Sequence, residues 1–165
     1  MEIMIRRVRK EDADEICDVI ESVALEKVFL ATLDRPSLES TQSFIQDNLE
    51  KGYPHLVAEH NNRIIAWGDI TCPFTRPPYM HIGRLGMGVL KEYRGQGVGN
   101  RLLTHLVEAA WAYGFRRLDL EVFAGNEAAI NLYLKHGYEV EGRKKYLRYL
   151  DGEFEDTLVM AQYRI

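Results

Sequence analysis

Arg94-Gly95-Gln96-Gly97-Val98-Gly99 stands between an extended run and a helix-period apolar stripe of Val98, Leu102, Leu103, Leu106, Val107 and Ala110. Glycines at a strand-to-helix turn let main-chain N–H groups converge without interference from Cβ atoms. The helix behind them adds its unpaired first-turn donors and the positive end of its dipole. Such a turn can hold phosphate oxygens, and Arg94 would put a cation at its rim. Two familiar phosphate-binding patterns fail on spacing. A P-loop needs lysine and then serine or threonine after its last glycine, whereas Asn100 and Arg101 follow here. A dinucleotide-binding turn reads G-x-G-x-x-G, and this run is one residue short. Glu121 lies near where a ribose-binding acid would fall and is a decoy for that second pattern. A tight connection with no ligand is the plain alternative.

A second pair of glycines, Gly86 and Gly88, flanks Met87 in the strand before this turn. Glycine weakens a strand, so it marks a bulge or the close approach of another group. A bulge would turn N–H and C=O groups of Gly88 and Val89 out of the ladder, free to pair with an extended, amide-bearing ligand. Phosphates at one end and two amides along an arm describe coenzyme A. The competing reading is that these glycines relieve crowding against a helix.

The elements that must position these residues fit one domain over residues 1–165. The chain is 46% hydrophobic and 28% charged, enough for a real core in a soluble protein. Its net charge of −4 lacks the basic excess of a general nucleic-acid binder, so no nucleic-acid partner is expected. Cys17 and Cys72 are far apart, and the five histidines have no ligand spacing, so neither a disulfide framework nor a metal is expected. No apolar run approaches the roughly 20 residues of a membrane span. Met1–Arg7 is too short and too charged for a signal peptide. A cytoplasmic protein with no membrane partner is the expectation.

Ile3, Ile5 and Val8 read as a first strand. A helix begins near Glu11 with the stripe Ala13, Ile16, Cys17 and Ile20, and a connection over 28–36 exposes Phe29, Leu30 and Leu33. A second helix spans Leu38 to Lys51, stopped by Gly52 and Pro54. His55–Glu59 and Arg63–Thr71 form a hairpin about Asn61-Asn62. Gly83–Leu90 is the fourth strand and Leu118–Phe123 the fifth, with the glycine turn and its helix between them. Asn126–His136 is a short helix closed by Gly137, and Tyr138–Tyr149 and Glu153–Tyr163 are long strands joined at Asp151-Gly152. This order predicts a mixed sheet with helices on both faces.

Strand, Arg94-x-x-Gly97-x-Gly99, helix, strand, then Asn126-x-x-Ala129-x-x-Leu132-Tyr133-x-x-x-Gly137-Tyr138 resembles the GNAT acetyltransferase superfamily. Leu120-Glu121-Val122 and Asp151-Gly152-Glu153-Phe154-x-Asp156 resemble two bacterial branches, the ribosomal-protein alanine N-acetyltransferases and the acetyltransferases of amino acids and phosphinothricin-like compounds. The resemblance implies an α/β (α+β) fold with a mostly antiparallel central sheet, splayed between the fourth and fifth strands. It implies acetyl-CoA as co-substrate, its pyrophosphate on the amides of Gln96, Gly97, Val98, Gly99 and Asn100. Its pantetheine arm would follow Met87, Gly88 and Val89, with Arg94, Gly95, Asn126, Ala129 and Tyr133 completing the set. Asn126 also suits a plain helix cap, and Tyr133 falls on a core stripe.

Acetyl transfer to an amine sets three requirements. A lysine-type ammonium has a reference pKa of about 10.4, so a base must take a proton before attack. Charge on the former carbonyl oxygen needs a fixed donor, for which the Val89 N–H is the candidate. The departing thiolate needs an acid, and Tyr133 is the candidate. Glu121, twelve residues before Tyr133, is the candidate base by the alanine-acetyltransferase resemblance, with Glu59 and Asp69 as alternatives through water. Strand alternation puts Glu121 with Asp119 and Phe123, facing either the acceptor cleft or solvent. Phe29, Leu30, Leu33, Phe74, Arg76, Tyr79, Tyr146 and Tyr149 are acceptor-side candidates. The small-molecule amine (an amino acid, for example) stands beside a protein N-terminus as acceptor, and a non-catalytic acyl-CoA sensor or a nucleotide-binding module stands beside the enzyme. The long edge of the terminal hairpin predicts a homodimer.

Overall fold

The computed structural model describes residues 1–165. Its strands are β1 (Met4–Arg7), β2 (His55–His60), β3 (Arg63–Thr71), β4 (Ile82–Val89), β5 (Arg117–Phe123), β6 (Glu139–Leu150) and β7 (Glu153–Tyr163). Its α-helices are α1 (Ala13–Ala24), α2 (Leu38–Lys51), α3 (Val98–Tyr113) and α4 (Glu127–Lys135). The predicted start of the first helix moves slightly. Glu11 lies in a single 3₁₀ turn, Lys10–Asp12, because the Asp12 carboxylate accepts the Arg9 N–H at 2.7 Å and binds the Arg6 guanidinium at 2.8 Å. The second helix begins and ends as its sequence signals require. Ser37 Oγ accepts the Ser40 N–H at 3.1 Å, and Gly52 closes the helix in the left-handed region.

All strands form one sheet in the order β1-β2-β3-β4-β5-β7-β6. Every pairing is antiparallel except β4 with β5, and that one is short. It covers Ile82↔Arg117, Gly83↔Leu118 and Arg84↔Asp119 only. Beyond it β5 stays with β7 as far as Phe123↔Thr157, while β4 stays with β3 as far as Val89↔Ala66. The sheet therefore opens into a wedge between Leu85–Val89 and Leu120–Phe123, as the resemblance implied. No helix is long and apolar enough to cross a membrane.

The wedge divides two faces. On one, α3 presses so close to β3 that a Cβ on Gly68 would meet Leu106 Cδ1 at 2.4 Å. Strand alternation then puts Ala66, Gly68 and Ile70 on the α3 face and Trp67 and Asp69 on the opposite face, under α1 and α2. Leu102, Leu103, Leu106, Leu118, Leu120 and Met160 bury one side; Ile16, Val19, Val23, Ile45 and Val57 bury the other. Phe29 and Leu30, read from sequence as exposed, pack partly buried against this core; Leu33 is exposed.

The expected bulge in β4 is absent. Its register with β3 runs unbroken from Thr71↔Arg84 to Ala66↔Val89, whereas on the other side of β3 the pairing with β2 shifts between Ala58↔Ala66 and Glu59↔Ile64, with Ile65 as the extra residue. Gly88 relieves crowding, but against a strand neighbour rather than a helix: a Cβ there would lie 2.3 Å from the Trp67 ring.

Candidate active site

The glycine turn is a preformed donor array. Gly95 and Gly97 adopt φ of 70° and 83°, a region open to glycine and costly for other residues. Gly97 caps α3, and its carbonyl accepts the Arg101 N–H at 3.0 Å. No main-chain N–H from Gly95 through Asn100 finds a partner within the protein. A Cβ placed on Gly95 or Gly97 would meet nothing within 4 Å. Free amides in sequence, open space before them and the positive end of α3 behind them suit an anion with several oxygens. The residues present thus fit the diphosphate of a coenzyme A.

Beside the turn, the free edge of β4 supplies further donors. The Leu90 N–H reaches the Ile65 carbonyl at 3.0 Å, which fixes the alternation along the strand. Gly88 and Gly86 bond to β3, whereas the N–H groups of Met87 and Val89 point into the wedge. Of the two residues expected to turn their main-chain groups out of the ladder, Val89 does so and Gly88 does not; Met87 does so in its place. Arg94 likewise departs from the role of rim cation. Its guanidinium binds Glu26 at 2.6 and 2.9 Å, donates from Nε to the Val89 carbonyl at 2.8 Å, and lies 4.4 Å from the Phe29 ring centroid. It fastens the end of α1 and the chain beyond it to β4.

Short α4 closes the α3 side of the wedge. Asn126 Oδ1 accepts the Ala129 N–H at 3.2 Å, so it is a helix cap, with its amide NH₂ left unpartnered. Leu132 lies against Gly99, and Asn100 Oδ1 accepts from His136 Nε2 at 3.0 Å. Tyr133 packs against the core with its ring 5.7 Å from that of Tyr138. Burial pushes its phenol up to about 12, so it carries its proton throughout the neutral range. Its hydroxyl donates to nothing in the protein.

The carboxylates nominated from sequence separate clearly. Glu59 accepts from Arg6 Nε at 2.8 Å and is committed to the β1–β2 edge. Glu121 is exposed on β5 and ion-paired with Lys144 of β6. Asp69 is buried, with no ion-pair or hydrogen-bond partner for its carboxylate, and both oxygens lie 3.8 Å from where a Gly86 Cβ would stand. Burial alone pushes it up to about 7. Asp69 and Glu121 occupy the face opposite α3, so the wedge has a phenol on one side and carboxylates on the other.

Two residues that shape this face were missed in the sequence. Trp67 covers Gly88, and His55 sits in register with Asp69 on the neighbouring strand. The signal for Trp67 was a bulky residue opposite a glycine, which becomes legible once the β3–β4 register is known. His81, the histidine of most interest in the sequence, is exposed, and its carbonyl accepts the Arg116 and Arg117 N–H groups at the start of β5.

The sequence model of the acetyltransferase (GNAT) family matches residues 20–138. The chain is 29% identical over 168 residues to a protein of Escherichia coli named an L-amino acid N-acetyltransferase, covering 99% of each. It is also 29% identical over 157 residues to a putative ribosomal protein bS18 alanine N-acetyltransferase of Bacillus subtilis, covering 94% of this chain and 92% of that one. In fold it is similar to a GNAT superfamily phosphinothricin acetyltransferase from Sinorhizobium meliloti solved with acetyl-CoA, with a TM-score of 0.92, 24% identity and coverage of 99% and 89%. The wedge, the donor turn and a family match over most of the chain lead to one conclusion: this protein belongs to the GNAT family and is an acyltransferase.

Proposed function

We propose that the protein transfers acetyl from acetyl-CoA to the primary amine of a small molecule, an amino acid being the favoured class. The observation that carries the donor assignment is the uninterrupted run of free amides from Gly95 to Asn100. When bound, acetyl-CoA supplies an activated thioester. The amides of the turn hold the diphosphate, and the Met87 and Val89 N–H groups receive the arm and the acyl oxygen. Tyr133 keeps a proton available on the α4 side for the departing sulfur. Asp69 takes the amine proton on the opposite face, since Glu59 is bound to Arg6 and Glu121 to Lys144. The similarity to an amino-acid N-acetyltransferase over the full length supports the acceptor class.

Free-thiol release from acetyl-CoA, measured across amino acids, polyamines and N-terminal peptides, tests this reading. Amine-dependent release is expected; donor binding without release on any amine would favour a sensor. Tyr133→Phe is expected to lower kcat by about 10²-fold or more while acetyl-CoA binding by calorimetry holds. An unchanged rate would remove Tyr133 from the chemistry. The base must be ionised to act, so kcat/KM is expected to rise with pH and level off above about 7. Glu121→Gln should leave that profile intact, and its loss in that variant would return the role to Glu121. The reading includes a homodimer through the β6 edge, where Tyr146 and Tyr149 pack on Phe154 and all three rings are exposed. A monomeric mass by light scattering over a wide concentration range would overturn that part.

A further inference from the structure

Two arginines from opposite sides of the wedge grip the same short segment. From the β4 side, Arg94 joins the Val89 carbonyl to the Glu26 carboxylate and stacks on Phe29. From the β5 side, the Arg148 guanidinium lies 4.4 Å from the centroid of the Phe123 ring. Its Nη1 donates to Glu155 at 3.0 Å and its Nη2 to the Lys27 carbonyl. Lys27 Nζ adds an ion pair at 3.4 Å with Asp151, at the tip of the β6–β7 hairpin. Val89 and Phe123 are the last residues of β4 and β5, where the two strands have parted. Glu26–Phe29 is therefore a strap across the open end of the wedge, tied to one side at Glu26 and to the other at Lys27.

The ties differ from ordinary surface ion pairs, which contribute little. The Arg94 and Arg148 side chains are only 29% and 15% exposed. Each guanidinium joins a carboxylate, a main-chain carbonyl and an aromatic face, a set suited to its planar fork and not to a lysine ammonium. Lys27 takes a φ of 57°, a region costly for residues other than glycine. Such a residue persists only where its surroundings hold it, and here Arg148 binds its carbonyl. Beyond Arg84↔Asp119 no ladder pairing fixes the distance between β4 and β5. The strap is what spans it.

Resting on the reading above, we propose that Arg94 and Arg148 are positioning residues for acetyl transfer. Acting through the Glu26–Phe29 strap, they set the width of the wedge and so hold the Met87 and Val89 N–H groups within reach of the donor's arm. A wedge freed to widen loses its grip on the arm. The diphosphate is unaffected, because the turn amides belong to consecutive residues and need no strap.

Calorimetry with two ligands tests this: acetyl-CoA, and 3′-phosphoadenosine 5′-diphosphate, the same nucleotide without the arm. Arg148→Gln and Glu26→Ala break the strap at its two ends and leave the turn untouched. Each is expected to weaken acetyl-CoA about tenfold, the size of one lost hydrogen bond, and to leave the armless diphosphate unchanged. Both ties hold one strap, so the double variant should bind acetyl-CoA about as weakly as either single one. Far-UV spectra establish folding; if one variant unfolds, the other decides. Unchanged acetyl-CoA affinity, equal loss of both ligands, or a double variant that multiplies the single losses overturns the proposal. If neither ligand binds the parent protein, the donor reading fails and the strap's role with it. If both bind the parent and the variants match it, the strap's role fails and the donor reading stands.

Discussion

Two pairs of glycines border the wedge and serve it in opposite ways. Gly95 and Gly97 hold the left-handed region and face open space, so the main chain itself is the surface presented there. Gly86 and Gly88 are part of a regular β-ladder, and neighbouring side chains define their surroundings: Trp67 lies over Gly88, and the Asp69 carboxylate stands beside Gly86. In the turn, glycine permits a conformation. In the strand, it makes room for residues of β3. On the proposed reading, the same residue type prepares the donor side through the backbone and the acceptor side through the side chains it admits.

The largest expected effect tests the strand pair through the group it shelters. Asp69 has a folded value of about 7 against an ordinary 3.8. Between those values the folded protein keeps a proton that the unfolded chain has released, so stability falls as pH rises through this window and stays low above it. Asp69→Asn is therefore expected to stabilise the protein at pH 8, by as much as about 4 kcal/mol, and by much less at pH 5. Thermal melts at both values check this, and a variant equally or less stable at pH 8 would show that the carboxylate has a partner.

Next in size is Gly88→Ala. Overpacking against the Trp67 ring is expected to cost about 1–3 kcal/mol, lowering Tm by about 2–4 °C for each kcal/mol. Combining it with Trp67→Ala should cost less than the sum of the two, whereas strict additivity would separate Gly88 from Trp67. Gly97→Ala meets no atom, so its stability loss should be about 1–2 kcal/mol from the left-handed backbone alone. Its larger consequence should be on acetyl-CoA binding, weakened about tenfold, as the loss of one hydrogen bond to a charged group predicts. If Gly88→Ala weakened the donor more than Gly97→Ala did, the contrast between the pairs would fail. Gly86→Ala should move stability least, within about 1 kcal/mol, since a strand gains from alanine and the new Cβ makes only ordinary contact with Asp69.

Much of this was legible along the chain. Apolar periodicity and punctuation by Gly52, Gly114 and Gly137 placed every helix and strand to within a few residues, because those signals are local to each element. The donor turn was legible for the same reason: positive φ and helix-start amides belong to consecutive residues. The Asn126 cap was equally local.

What tertiary structure decided were the pairings between distant residues. Arg94 looked like a phosphate ligand until Glu26, far back in the chain, claimed it. Gly88 looked like a bulge until the register set it under Trp67. In sequence Glu121 was the first candidate base, with Glu59 and Asp69 as alternatives through water, and their partners reversed that order: Arg6 for Glu59, Lys144 for Glu121, none for Asp69. A residue's own type sets what it can donate, accept or permit; whether that capacity is free for a ligand depends on which neighbour the fold brings against it first.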